Sequence, residues 1–347
     1  MAGRFAYAAL ALCAWLFISP AQAAIPDHLF RGDFQIVADA PATDAEAARF
    51  LTQATFGPTA AEIARVRALG YSQWIDQQLS TPTTQHRPYL DNLLAVFTAN
   101  QQGFGHSQRL NRWFHTVTYA PDQLRQRTAF ALSQIFVLSD QDGTLGGETI
   151  QVSEYWDMLA RGAFDNYLSV LRNVTYHPSM GKYLSHFRNR KASTDGLRLP
   201  DENYAREVMQ LFSIGLLERN FDFSPVLAGG QPIPTYSQTD IVNLAKVFTG
   251  FNYFNSTTIS NGTNDARFMN CIPAEHDLTA KTFLSNTIPA TPTQPANDPN
   301  HVICRAPLPG DGSRRDINDV NAAIAVIMNH PNVAPFISRQ LIQRFVT

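Results

Sequence analysis

The 347-residue chain is 44% hydrophobic and 11% aromatic, enough apolar material for a buried core, so disorder of the whole chain is excluded. Its 27 basic and 29 acidic residues leave a formal charge of −2, and the basic footprint of a nucleic-acid binder is missing.

Residues 1–23 read as a cleavable export signal. Arg4 supplies the cation, Phe5 to Ile18 an uncharged apolar run, and Pro20 with Ala21-Gln22-Ala23 a small-x-small site, so cleavage is expected after Ala23. A retained anchor is the alternative, but the run is shorter than the roughly 20 residues that span a bilayer. Leu12 before Cys13 argues against lipidation, and no later segment reads as a transmembrane span. The expected address is the periplasm or the medium. Cleavage removes Cys13 and leaves Cys271 and Cys304, which outside the cytoplasm are expected to form a disulfide; two separate thiols are the alternative.

Residues 24–42 lack a helical period and read as an extended arm, and residues 43–347 as a single helical domain. Thr43 opens a capping box with Glu46, followed by Ala47, Phe50, Leu51 and Ala54 at helical spacing. A second helix carries Ile63, Val66 and Leu69 on one face, with Gly70 as a left-handed C-cap. A third carries Trp74, Ile75 and Leu79 and ends before Pro82. Arg109 to Tyr119 and a longer helix from Pro121 through Leu138 are expected to pack as an antiparallel pair. Asp140, Asp142 and Glu148 lack the spacing of a calcium-binding EF-hand, so a solvated acidic turn is preferred. Further helices are expected around Val152 to Arg161, Phe164 to Val174, Pro200 to Leu217, Gln238 to Thr249, Ile317 to Met328, and from Asn332 onward. Two Pro/Asn/Gly-rich stretches, Phe221 to Tyr236 and Phe251 to Arg315, interrupt them as long loops, which in compact domains are usually functional or mobile. The fold class is mainly α, an irregular array of many helices.

Polar chemistry is densest between His177 and Thr249. On the helix expected from Pro200, Tyr204, Val208, Leu211 and Phe212 form the buried stripe, while Asn203, Arg206, Glu207 and Gln210 gather on an adjoining polar face.

These residues resemble a known family. The run His177-Pro178-Ser179-Met180, the run Glu202 to Gly215, Tyr236-Ser237-Gln238-Thr239-Asp240-Ile241 and Phe248-Thr249-Gly250-Phe251 look like the bacterial family catalogued as domain of unknown function 1800. Ala48 to Pro58, Gly70-Tyr71 with Trp74-Ile75, and Glu275-His276-Asp277 with Lys281 match it too. The resemblance runs from about Ala47 to the last residue. It implies an exported helical protein, often encoded beside another exported family, with no agreed reaction. Members of the family continue past His330-Pro331, whereas this chain stops inside an amphipathic pattern at Arg344-Phe345-Val346-Thr347, which reads as a truncated frame. Phe336, Ile337, Leu341 and Phe345 are then expected to lack a partner.

Two function classes follow. One is a non-catalytic helical binding or scaffold protein for an exported partner encoded nearby or an envelope polysaccharide. The other is an envelope hydrolase with Glu207 as general acid/base, Asn203 and Arg206 positioning a polar substrate, and His177 beside them. Glu202, His276 and Asp277 are candidate ligand contacts, with His177 and the His276-Asp277 pair as the opposite wall of one cleft. Each candidate also has a structural reading. Glu202 and Arg206 suit a surface i,i+4 pair, worth about 0.3–0.5 kcal/mol, His177 a turn brace, and Asn203 with Glu207 a buried network. No cofactor is expected; His177, Glu207, His276 and Asp277 are the one set that divalent-metal chemistry would use, but they lack a metal-ligand spacing. Gly105-His106-Ser107-Gln108 lacks the last glycine of a nucleophile elbow.

Overall fold

The computed structural model describes residues 39–141, 143–288 and 318–345. The export signal, most of the arm and Cys304 lie outside the described residues.

The first helices form where local capping dictates. Thr43 Oγ1 accepts the Glu46 N–H at 3.2 Å and starts α1, Asp44–Ala54, whose buried face is Ala47, Phe50, Leu51 and Ala54. The Glu46 carboxylate reaches back to the N–H of Ala42 at 2.7 Å, one residue before the partner a capping box would give it. Thr59 caps α2, Ala60–Leu69, in the same way. Gly70 has the expected positive φ of 84° but an extended ψ of 169°, because it ends α2 and at once begins α3, Tyr71–Ser80. The helix α4, Arg87–Ala99, is not anticipated by the sequence reading; Pro88 sits in its first turn, where a missing N–H costs nothing.

Next come α5, His106–Tyr119, α6, Gln123–Ser133, α7, Thr149–Arg161, and α8, Tyr167–Tyr176. The helix α6 ends five residues before Leu138, in tightened turns where Gln134 and Ile135 bond three residues back to Ala131 and Leu132. The six-residue α9, Pro178–Tyr183, follows at once, with His177 as its N-cap. The helix α10, Asn203–Gln210, stops well short of Leu217: the N–H groups of Ile214 and Gly215 both turn back to the carbonyl of Met209, and Gly215 takes a φ of 70°. The chain then forms the hairpin β1–β2, Leu227–Ala228 with Gln231–Pro232, and α11, Gln238–Val247. Two more antiparallel pairs complete the strands among the described residues: β3, Phe251–Asn252, with β4, Asn270–Cys271; and β5, Lys281–Phe283, with β6, Asn286–Ile288. The last helices are α12, Asn318–Met328, and α13, Val333–Phe345. The protein is thus mainly α, and both long loops carry short hairpins.

Among the described residues, most buried apolar side chains fall into two clusters. The smaller joins Phe50, Leu51, Val66 and Trp74 to Leu124. The larger gathers Phe136, Tyr155, Tyr167, Tyr176, Tyr204, Phe212, Phe248 and Phe251 with residues of α12 and α13. Ile337 and Leu341 are buried there and Phe336 and Phe345 pack at its edge, so the apolar face of α13 has partners, contrary to the expectation from sequence. Among the described residues, no helix is long and apolar enough to cross a membrane.

Candidate functional site

The polar face expected on the Pro200 helix exists on α10. Tyr204, Val208 and Phe212 are buried as expected, together with Ala205 and Met209, but Leu211 is 44% exposed because the helix ends beside it. Arg206 Nη2 donates to Glu202 Oε2 at 3.2 Å, and Gln238 Nε2, on the first turn of α11, donates to the same oxygen at 2.8 Å. Tyr236 Oη donates to Gln210 Oε1 at 3.2 Å. Asn203 is exposed, its backbone N–H held by Asp201 Oδ1.

Glu207 stands out within this face. It is half-buried, and its Oε2 is enclosed without a hydrogen-bond partner. Burial pushes its carboxyl above the usual carboxylate range, against the opposing charge of Arg206. The Tyr236 phenol is raised by burial too, with Arg206 working against the shift and Glu207 adding to it. The face therefore offers donors and acceptors already paired among themselves and one acceptor oxygen that is not.

The other candidates lie elsewhere. His177 is buried, accepts the Ser179 N–H through Nδ1 at 3.2 Å, and sets its ring edge-on to Tyr155. Its Nε2 has no partner. His276 is fully buried between the Thr249 carbonyl, 2.9 Å from Nδ1, and Asp319 Oδ2, 3.3 Å from Nε2. Asp277 takes the N–H and hydroxyl of Thr279 on its carboxylate, and its own N–H meets Thr249 Oγ1. No hydrogen bond or ion pair joins Glu207 to His177 or His276. Glu202 and Arg206 hold the first residue of α11, while His276 holds Thr249 beyond its last; the ten-residue helix between is about 15 Å long. The Asn189 amide, donating to both the Asp201 and the Phe248 carbonyls, brings the start of α10 near the end of α11, but among the described residues no hydrogen bond or ion pair joins the α10 face to the His276-Asp277 pair.

Residues 49–347 match the family described as "Protein of unknown function (DUF1800)". The chain belongs to that family. Among curated proteins and solved structures, none matches it.

All the candidate residues of this DUF1800 chain fall within the matched stretch. Sequence reasoning missed two groups in it. One is Asp319, which lies beyond the long loop and pairs with His276; nothing local marks an acidic residue in the first turn of α12 as more than a helix-end charge. The other is His186, buried against the Tyr204 ring at 4.0 Å with Nε2 donating to the Thr175 carbonyl. Cys271 is buried in β4 among the larger cluster, and its expected partner Cys304 lies outside the described residues. Among the described residues no three His, Cys, Asp or Glu side chains converge as a metal set. Around His276 and Asp319 the cation already present is the Lys281 ammonium, 2.5 Å from Asp319 Oδ2.

Proposed function

We propose that this DUF1800 chain is an exported helical binding protein that takes a polar ligand, an envelope polysaccharide or an exported partner, on the outer face of α10. Glu207 carries the reading. A carboxylate oxygen enclosed without a donor costs about 1–3 kcal/mol or more, and a ligand N–H or O–H that displaces the side chains covering it recovers that cost. Arg206 and Tyr236 lie near enough to feel its charge, and they are hydrogen-bonded onward to Glu202 and to Gln210. Co-sedimentation with peptidoglycan sacculi and with other envelope polysaccharides is the assay. Glu207→Gln is expected to weaken binding about tenfold or more, the worth of one charge-assisted hydrogen bond, with the melting temperature nearly unchanged. A lower melting temperature with unaltered binding per folded molecule would assign Glu207 to bracing the core.

The raised carboxyl of Glu207 favours a second reading, an envelope hydrolase with Glu207 as general acid. Release of new reducing ends from those polymers, abolished by Glu207→Gln, distinguishes it from binding alone. Export rests on the residues of the leader and carries with it the proposal that Cys271 and Cys304 are joined. N-terminal sequencing of protein from the periplasm or medium is expected to begin at Ala24, and a non-reduced peptide map to show the cystine. An intact Met1 species in the membrane fraction would mean an anchor.

A further inference from the structure

Behind α11 lies a charged cluster that the α10 site does not use. Lys281 has no exposed surface. Its Nζ donates to the Asp277 carbonyl and to Asp319 Oδ2, both at 2.5 Å. His276 Nε2 lies 3.3 Å from that same Oδ2, a carboxylate oxygen that can only accept, so the ring nitrogen is the donor of that contact. Apolar residues flank both partners: Phe283 and Ile288 on the β5–β6 hairpin, Val320 and Ala323 on α12. An ion pair in such surroundings repays little of its desolvation.

From this juxtaposition we infer that Lys281 and Asp319 are the two halves of an intramolecular amide cross-link that the folded chain forms on itself. The step needs no co-reactant. The Lys281 ammonium passes one proton to the Asp319 carboxylate, leaving a neutral amine and a neutral acid; burial favours that transfer, but the His276 and Lys281 contacts outweigh it and hold the carboxyl below its usual range, so this is the uphill part of the step. The Nζ lone pair then attacks Cγ and the N–C bond forms. The His276 Nε2–H donates to Oδ2 as negative charge develops on it, the place and role of an oxyanion donor. The other carboxyl oxygen leaves as water, carrying its own proton and a second from the attacking nitrogen. An ammonium and a carboxylate become one amide and one water, with no change of oxidation state. Condensation of free amines and acids is unfavourable in water, but groups held in contact react as if at about 10⁵–10⁸ M. The asparagine-like link would fasten β5 to α12 across the 289–317 segment.

A tryptic map of the reduced, denatured wild-type protein tests this without relying on a variant that folds. The expected product is a branched peptide in which residues 268–305, uncut after Lys281, are joined to residues 316–339, lighter by one water than the two pieces together. Cleavage after Lys281 with a separate 316–339 peptide of full mass would overturn the inference. Loss of water confined to an unbranched 316–339 peptide would overturn it equally. In a His276→Gln variant the branched fraction is expected to fall at least tenfold at equal time after synthesis; an unchanged fraction would remove His276 from the step.

Discussion

Two buried histidines set how the protein meets acid. Burial, helped by the positive charges of Arg161 and Arg87, holds His177 down at about 3, and burial holds His186 at about 4 although the Thr175 carbonyl works the other way. Each ring keeps one nitrogen without a partner in the fold. In the unfolded chain both titrate near 6.5. The folded state thus binds fewer protons than the unfolded one below that value, so the stability these residues allow is present above about pH 6.5 and is lost as pH falls toward 4 and then 3. The two together are expected to lower the unfolding free energy by about 3 kcal/mol between pH 7.5 and 5.5, measured by urea titration. His177→Phe should remove its share of that slope, and an unchanged slope would show that the ring is hydrated in solution. At this scale the sequence is legible only where chemistry is local. The Glu202–Arg206 pair follows from i,i+4 spacing alone. The unpartnered oxygen of Glu207 and the Asp319 partner of His276 depend on chain segments that meet only after folding.

Elements were legible from sequence in proportion to how locally they are determined. The starts of α1, α2 and α11 are written in Thr43, Thr59 and the Ser237-Asp240 box, whose hydroxyls accept N–H groups three residues on. The two- and three-residue strands carry no such mark. Phe251 pairs with Cys271 across the loop, and the carbonyl of Phe251 also takes the Arg188 N–H at 2.8 Å, so their place is set by tertiary contacts. Gly250 is where those contacts cross. Its N–H donates to the Asn189 carbonyl, its carbonyl accepts the Ile272 N–H at 2.7 Å, and its φ is 83°. A Cβ there would stand 2.9 Å from the Ile272 carbonyl oxygen and 3.1 Å from His276 Cβ, and the first of these is backbone that a rotamer change cannot move. Gly250→Ala is therefore expected to cost about 3 kcal/mol, read from the urea midpoint at constant slope, through strain at positive φ added to overpacking. A loss below about 1 kcal/mol would mean that the turn before His276 shifts freely, and with it the position of the Asp319 contact.

At the scale of the whole molecule, two apolar clusters raise the question of whether the chain unfolds in one step or two. The helix α6 belongs to both. Leu124 lies in the smaller cluster, whereas Ala129 and Leu132 lie in the larger. Gln78 clamps the start of α6 from α3, its amide donating to the Pro121 carbonyl at 3.0 Å and accepting the Leu124 N–H at 3.1 Å. On another face of α6, Arg127 donates to the Arg344 carbonyl at 2.6 Å and lies over the Phe345 ring, tying α6 to α13. Loss of either cluster would strip α6 of part of its packing, and a helix of eleven residues has little stability of its own. Trp74 sits in the smaller cluster, and Trp113 and Trp156 meet at 6.1 Å between α5 and α7, while the described larger cluster contains no tryptophan. Because Trp156 sits on α7 beside Tyr155, Met158 and Leu159 of the larger cluster, the fluorescence probe is Trp74 with the other tryptophans replaced by phenylalanine, which reports the smaller cluster, while far-ultraviolet circular dichroism reports every helix. If α6 couples the clusters, urea curves from the two probes will superimpose on one midpoint, and Leu124→Ala, expected to cost about 2–5 kcal/mol, will shift both together. If fluorescence is lost at lower urea than helicity, the smaller cluster opens by itself and the hydrogen bonds of Gln78 and Arg127 do not carry the coupling.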